Sequence, residues 1–579
     1  MSGGLPAGFG LVLDRRTRVL DGGRVLLGGS PRRALRLSPA GVAAFARLRA
    51  DGHVSDERTG RLARRLVDAG VAHPRPPVVA GPGVTVIVPV RDRAVALDRC
   101  LAALTGPGEV AGARESAGGG VLAGAGGVAG VRALAGAGEV APSGEVAGGG
   151  ALAGAGEVPR GGELTGTGGV AGAPGGVRVL VVDDGSDDPA AVAEVAARYG
   201  ARLIRRPVSG GPAAARNTGL AAMAAGGADG LVAFVDSDCV PSPGWLQRLA
   251  GHFADPAVVA VAPRIVPLVA SAAGPVLSAF AAARSPLDLG PDEALVRPGS
   301  RVSYVPTAAL LVRRSALDGF DEALRYGEDV DAVWRLVAAG GRVRYDPSVT
   351  VAHAEPASWP AWLRRRHHYG TSAGPLDRRH PGRLAPLVVA PWPAAVTALL
   401  LARRPVLATA AGAVAAVRLA SRLRADGLPP SLAAPMIAEA TAATLTGAGR
   451  AVAQLALPAV VAAAAATGRR RRPVPVAAPA ATVAATAATG RRRSRLVAEA
   501  ALVAAPAATG RRRRLVTVAV LVAAPAVRDW LRLRPSLDPV RWTLASIADD
   551  VAYGTGVWRG AVRARTARPL LPVGRKTIR

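Results

Sequence analysis

Two aspartates one residue apart, Asp236 and Asp238, close the apolar run Leu231-Val-Ala-Phe-Val235. Such a run bounded by polar residues reads as a buried strand of a mostly parallel sheet. Its carboxyl end is where open α/β sheets bind ligands. Two carboxylates on that turn can share a divalent cation, whose usual partner is a phosphate. A solvated surface turn produces the same Asp-Ser-Asp, so the company it keeps decides. Val181-Val-Asp-Asp-Gly-Ser186 and Val86-Ile-Val-Pro-Val90 followed by Arg91-Asp-Arg93 put acids at two further strand ends. Tyr326-Gly-Glu-Asp-Val-Asp331 opens a helix, where acids complement the dipole in the ordinary way. Glu328 and Asp329 also stand at a helix mouth from which a carboxylate can accept a proton. The dipole is expected to keep Asp329 ionised at neutral pH. Gly210-Gly211 begins another helix with a glycine-rich turn of the geometry that suits phosphates. His353 ends a strand, where a lone histidine is more often structural than a ligand.

These residues need a frame, and residues 84–370 supply it. Strand-like runs alternate with helical ones, which predicts a doubly wound α/β sheet. After the strand that ends in Asp236, residues 258–266, 303–312, 342–345 and 349–353 read as further strands. A helix is expected from Glu328 to the stop Gly340-Gly341. A basic aromatic helix containing Arg364-Arg-Arg-His-His-Tyr-Gly370 follows.

Around this core the chain changes character. Residues 1–76 form a small α+β module, winged-helix-like, without a catalytic constellation; docking or recognition is the expectation. Residues 105–176 are repeats of Gly, Ala, Val and Glu, which cannot bury enough apolar surface to offset their ordering entropy. They read as a disordered insertion in the first crossover. Residues 384–445 contain two apolar stretches, 384–402 and 405–420, each approaching the ~20 residues of a spanning helix. A membrane hairpin and a pair of helices lying on the surface are both open. Residues 447–514 repeat Ala-Ala-Thr-Gly before arginine runs, and 515–579 regain complexity as a helical tail.

Composition narrows the classes. The formal net charge of +30 implies an anionic partner, yet twelve of the arginines lie in the repeats between Arg469 and Arg514. A polybasic tract beside apolar helices suits anionic lipid headgroups. Aromatic residues are only 3% of the chain, too few for stacking platforms on single strands. Acids clustered at strand ends also argue against nucleic acid. Two cysteines, Cys100 and Cys239, exclude a disulfide framework and fit a reducing compartment. No secretory signal pattern opens the sequence.

In order, Val86-Ile-Val-Pro-Val90, Val181-Val-Asp-Asp-Gly-Ser186, Arg216-Asn-Thr-Gly219, Asp236-Ser-Asp238, Gly319-Phe-Asp-Glu322 and Gly327-Glu-Asp329 resemble the family-2 glycosyltransferases. The resemblance covers residue 84 to about residue 369 and implies a GT-A fold. The small module is similar to the peptide-recognising domain of quinone-cofactor maturation. With that module and the terminal Asp549-Asp-Val-Ala-Tyr-Gly-Thr-Gly-Val-Trp-Arg-Gly560, the chain resembles the narrower mycofactocin-system glycosyltransferases. The glycine-rich insertion and arginine repeats depart from the family, and the QxxRW motif of processive synthases is absent.

The resemblance implies an inverting transfer of glucose from UDP-glucose to a peptide-derived redox cofactor precursor, extended by β-1,4 linkage. It implies Asp329 as general base, with Glu328 orienting the acceptor. Pro89, Arg91, Asp183, Asp184, Arg216 and Asp236 would hold the nucleotide. Asp236, Asp238 and His353 would hold Mg²⁺ or Mn²⁺. The implied location is the cytoplasm, at or in the cytoplasmic membrane. Two other classes stay open: a lipid-linked or polysaccharide glycosyltransferase, and a non-catalytic basic binder of membrane or nucleic acid.

Overall fold

The computed structural model describes residues 3–79, 83–106, 176–224, 230–270, 272–458 and 511–574. Nearly all of the expected insertion and most of the arginine repeats lie outside the described residues.

The amino-terminal module is built from β1 (Gly10–Leu13), β2 (Arg18–Leu20), β3 (Val25–Gly28), β4 (Arg33–Arg36), α1 (Pro39–Asp51), α2 (Glu57–Asp68) and β5 (Ala72–Arg75). β1 pairs antiparallel with β5, and β2, β3 and β4 form a three-stranded antiparallel meander. Both helices begin where polar caps predict. Ser38 accepts from the Gly41 amide at 3.2 Å, and Asp56 with Thr59 closes a capping box. Leu26, Phe45, Leu48, Leu62 and Leu66 fill a core of the module's own.

The module is locked onto the rest of the protein by buried charge. Arg64 of α2 donates to both oxygens of Asp255 at 2.6 Å, and both groups are almost fully shielded. Arg342 clasps Asp68 at 2.7 Å through two nitrogens. Removing one partner of a buried pair strands the other charge, typically at about 3–5 kcal/mol. Asp255→Ala is therefore expected to lose stability of that order in chemical denaturation and to make the module the first site of limited proteolysis. An unchanged unfolding midpoint would mean that the pair contributes nothing.

The core is one nine-stranded mixed sheet. In chain order its elements are β6 (Val84–Val90), α3 (Ala94–Thr105), β7 (Val177–Asp184), α4 (Pro189–Arg198), β8 (Arg202–Arg206), α5 (Pro212–Ala224), β9 (Leu231–Val235), β10 (Cys239–Pro241), α6 (Trp245–Ala250), β11 (Val258–Leu268), α7 (Pro275–Arg284), β12 (Ala294–Leu295), β13 (Ala309–Arg313), α8 (Glu328–Ala338) and β14 (Arg342–Ala354). Strand order is β10-β14-β11-β13-β9-β6-β7-β8, with β12 on β14. β9, β6, β7 and β8 run parallel, so their carboxyl ends open on one edge. Apolar runs such as Val84–Val90 are buried because helices cover both faces. Leu97, Leu101, Val192 and Trp245 pack on one face, and Leu220, Val333 and Trp334 on the other.

Two sequence expectations change. The expected strand 303–312 shrinks to Ala309–Arg313, because Pro306 lacks the amide a ladder needs and the preceding residues turn toward the cleft. The two strands expected around Pro347 are one strand, β14, whose irregularity at Asp346–Thr350 is absorbed by a register shift against β11.

The remainder is mainly helical, with one short parallel pairing of Val388–Val389 and Val573–Gly574: α9 (Trp359–Thr371), α10 (Ala373–Arg379), α11 (Pro391–Leu401), α12 (Pro405–Ala425), α13 (Ala433–Ala451), α14 (Arg511–Leu533) and α15 (Pro539–Arg563). The α15 helix lies along α9 and α10 through facing glycines. A Cβ on Gly374 would stand 2.0 Å from the Gly560 carbonyl, and one on Gly370 would stand 2.1 Å from that of Tyr553. Only backbones without side chains approach this closely. Of the two apolar stretches, α12 alone among the described helices is long and apolar enough to cross a membrane, with a mean hydropathy of 1.4; α11 is shorter.

Candidate active site

The carboxyl ends of the parallel strands open into a cleft of about 1060 Å³, walled on its other side by α8 and α9. That volume matches what a drug-sized or nucleotide-sized ligand occupies. Pro89, Arg91, Asp184, Arg216, Asp236, Asp238, Glu328, Asp329 and His353 all line it. Nine of the ten residues singled out in the sequence thus share one cavity.

Asp183 is the exception. Its carboxylate turns away to accept from the Ser186 amide at 2.9 Å and from Arg205 at 3.0 Å, and it is buried outside the cleft wall. It shapes the turn after β7. Its neighbour Asp184 reaches the cleft, yet accepts from the Gly210 amide at 3.0 Å, the Gly211 amide at 2.7 Å and Ser209 Oγ at 2.8 Å. The glycine-rich turn expected to cradle phosphate therefore already has an internal carboxylate on its amides. The dipole end is the same, but the anion is the protein's own.

Arg216 is the hub. Buried on α5, it donates to Asp236 at 2.7 Å and to Glu328 at 2.9 Å, and its guanidinium lies 5.5 Å from the centre of the Phe320 ring. Burial works against its charge, but Asp236 and Glu328 outweigh burial and hold the guanidinium's pKa above its ordinary value. One arginine thus ties the end of β9 to the start of α8.

Asp238 and His353 meet because the sheet register brings them together. β10 pairs antiparallel with β14, placing Cys239 opposite His353, and the imidazole Nε2 stands 3.6 Å from an Asp238 oxygen. Burial lowers the His353 pKa against the opposing pull of Asp238, so the ring is neutral, the form that ligates metals. Its Nδ1 is buried without a partner. Arg93 pairs with the same Asp238 carboxylate. Among the described residues no three His, Cys, Asp or Glu side chains cluster closely enough to cage an ion alone. Of the expected triad Asp236, Asp238 and His353, the last two stand together, while one oxygen of Asp236 accepts from Arg216. A carboxylate and a neutral imidazole that lean on substrate phosphates for the remaining ligands fit Mg²⁺ or Mn²⁺.

Asp329 differs from the sequence expectation. It is the second residue of α8 and accepts from the Val330 amide at 2.7 Å. Burial, and then repulsion from Glu328, nevertheless push its carboxyl up to about 7. Desolvation outweighs the helix dipole here, because the dipole offers only a partial charge. A base poised near neutral pH is better matched to taking a proton than one locked in its ionised form.

Sequence reasoning missed Arg93 although it stands inside the quoted Arg91-Asp-Arg93. It also missed the cleft residues Tyr304, Tyr369 and Tyr553, although the last two stand inside the stretches 364–370 and 549–560. Asp549 explains the terminal motif in part: it accepts from Trp362 Nε1 at 2.9 Å and Arg366 Nε at 2.7 Å, fixing α15 to the basic helix α9.

Residues 172–319 match the family model Glycosyl transferase family 2. That match begins within the last residues of the glycine-rich repeats and omits β6, which the structure nonetheless places at the centre of the same sheet. Two curated proteins, each named pre-mycofactocin glycosyltransferase and from Mycobacterium tuberculosis strains CDC 1551 and H37Rv, are 36% identical over 98% of this chain and 98% of theirs. Among solved structures, S. aureus TarS 1-349 aligns with a TM-score of 0.29 at 15% identity, covering 50% of this chain and 65% of its own.

Proposed function

The chain belongs to the pre-mycofactocin glycosyltransferases of glycosyl transferase family 2, and on that premise we propose that it moves glucose from UDP-glucose onto pre-mycofactocin. The product is a β-1,4-linked chain made by inversion at each anomeric carbon. Membership makes it an enzyme on a GT-A type α/β fold, which removes the non-catalytic binder from consideration.

The observation that carries the reading is the pair of acid sets facing one cavity, Asp236 with Asp238 at the strand ends and Glu328 with Asp329 at the mouth of α8. Arg91, Arg93 and Asp184 would hold the nucleotide end of the donor. A divalent cation held by Asp238 and His353 would supply neutralisation of the diphosphate as it leaves. Arg216 keeps Asp236 and Glu328 in fixed relation, so donor and acceptor sides stay in register. Asp329 takes the proton from the acceptor hydroxyl as its oxygen attacks the anomeric carbon from the face opposite the diphosphate. Glu328, tied to Arg216, orients rather than accepts. The amino-terminal module is proposed to bind the acceptor's peptide-derived part. A membrane-surface location is supported by the exposed Val406, Leu407 and Val417 on α12.

Purified protein given UDP-glucose, pre-mycofactocin and Mg²⁺ tests this. Mass spectrometry should find successive single-hexose additions, and NMR should find β linkages. Transfer only to a polyprenyl phosphate would favour the lipid-linked alternative, and α linkages would remove the inverting mechanism.

A further inference from the structure

The donor's proposed partners stand at strand ends; the wall beyond Asp329 comes from three separate places in the chain. Tyr304 comes from the loop before β13, Tyr369 from α9 and Tyr553 from α15, and all three line the cleft. Among the described residues no protein group hydrogen-bonds to any of their phenol hydroxyls. The hydroxyls are absent from the buried unpartnered atoms and so reach open space, where a ligand in the cleft can meet them. Burial raises the Tyr304 pKa, and the charges of Asp329 and Tyr553 raise it further. Tyr369 is raised by burial too, with Asp329 among its charged neighbours. The phenols are therefore protonated donors.

The carboxyl-terminal helix is clamped so that Tyr553 arrives there. Asp549, Tyr553, Gly556 and Gly560 follow the i, i+4, i+7, i+11 spacing that makes one stripe along α15. Asp549 at the head of the stripe binds Trp362 and Arg366 of α9. At its foot, Gly556 and Gly560 rest against the backbone of α9 at His367 and Thr371. Arg366 also lies over the Tyr553 ring, 5.1 Å from its centre. Within this stripe, small residues and charge make the helix contact, and Tyr553 is the aromatic one turned to the cleft.

We propose that α15 completes the acceptor subsite: Tyr553, with Tyr304 and Tyr369, holds a hydroxyl-bearing ring of the acceptor. Aromatic faces take the ring's flat apolar side, phenol hydroxyls bond its polar edge, and the attacking hydroxyl is left facing Asp329. The inference rests on Asp329 being the base. The ring is that of unglycosylated pre-mycofactocin or of the glucose already added, since both combine a flat face with a hydroxyl.

The test measures acceptor affinity by calorimetry without donor, using pre-mycofactocin and its monoglucosylated form on wild type, Tyr553→Phe and Tyr553→Ala. The Ala variant should bind the relevant acceptor about tenfold more weakly. The Phe variant, which keeps the ring beneath Arg366, should fall between. UDP affinity and the slow hydrolysis of UDP-glucose should hold within about twofold. A loss confined to the monoglucosylated form assigns the subsite to the growing chain; a loss for both assigns it to the aglycone. Unchanged acceptor affinity in the Ala variant, or equal loss of UDP binding, overturns the inference. Failure of the base reading shows elsewhere, as undiminished transfer by an Asp329 variant.

Discussion

Asp238→Ala is expected to abolish sugar transfer while leaving the protein folded. The carboxylate stands in the turn between β9 and β10, is paired with Arg93, and lies 3.6 Å from His353. Arg93 is more than half exposed, so losing its partner leaves a solvated charge rather than a buried one, and stability should hardly change. The chemical loss is far larger. Lewis-acid stabilisation of a departing diphosphate is worth several kcal/mol, or roughly 10²–10⁴ in rate. Cation-dependent binding of UDP should vanish together with transfer, since the same pair would hold the ion in both. Full activity of the wild type in EDTA, or a variant that still responds to Mg²⁺, would remove the cation from this site.

Asp329→Asn should cost about 10²–10⁴-fold in kcat while UDP affinity changes little. The amide keeps the size and can still accept from the Val330 amide, but it cannot take a proton. Its stability should move the other way. A folded-state carboxyl raised to about 7 binds a proton between the unfolded value of 3.8 and about 7, so wild-type stability falls as pH rises through that window. Asparagine carries no such penalty, and above pH 7 the variant should melt no earlier than wild type. Near wild-type transfer would reduce Asp329 to a helix-end acid. Loss of donor affinity as well would move it to the nucleotide site and make Glu328 or Asp331 the next candidate.

Much of this site was legible because its residues sit where periodic runs stop. Apolar strands announce their own ends, so Asp184, Asp236, Asp238 and Arg91 could be placed on one edge of a sheet from spacing alone. Three things were not legible. The direction of a side chain within a turn is one: Asp183 and Asp184 are adjacent, yet only the second faces the cleft. Burial is another, since the sequence displays the helix mouth at Asp329 but not the desolvation that overrides it. The third is long-range assembly. Tyr553 lies more than two hundred residues from Asp329, and only the packing of α15 on α9 brings them to one wall. Pro306 and Pro347 misled in opposite directions, one lying ahead of a strand that starts late and the other tolerated inside β14.

The most direct test of Asp329 as the base is the pH dependence of kcat/KM, measured for wild type and Asp329→Asn at saturating Mg²⁺. A carboxyl with its pKa near 7 is protonated, and therefore idle, below that pH, so wild-type activity should climb through about pH 7 to a plateau. In the Asn variant the residual rate should show no such climb. A flat wild-type profile across neutrality, or the same acid limb in both proteins, would contradict the account.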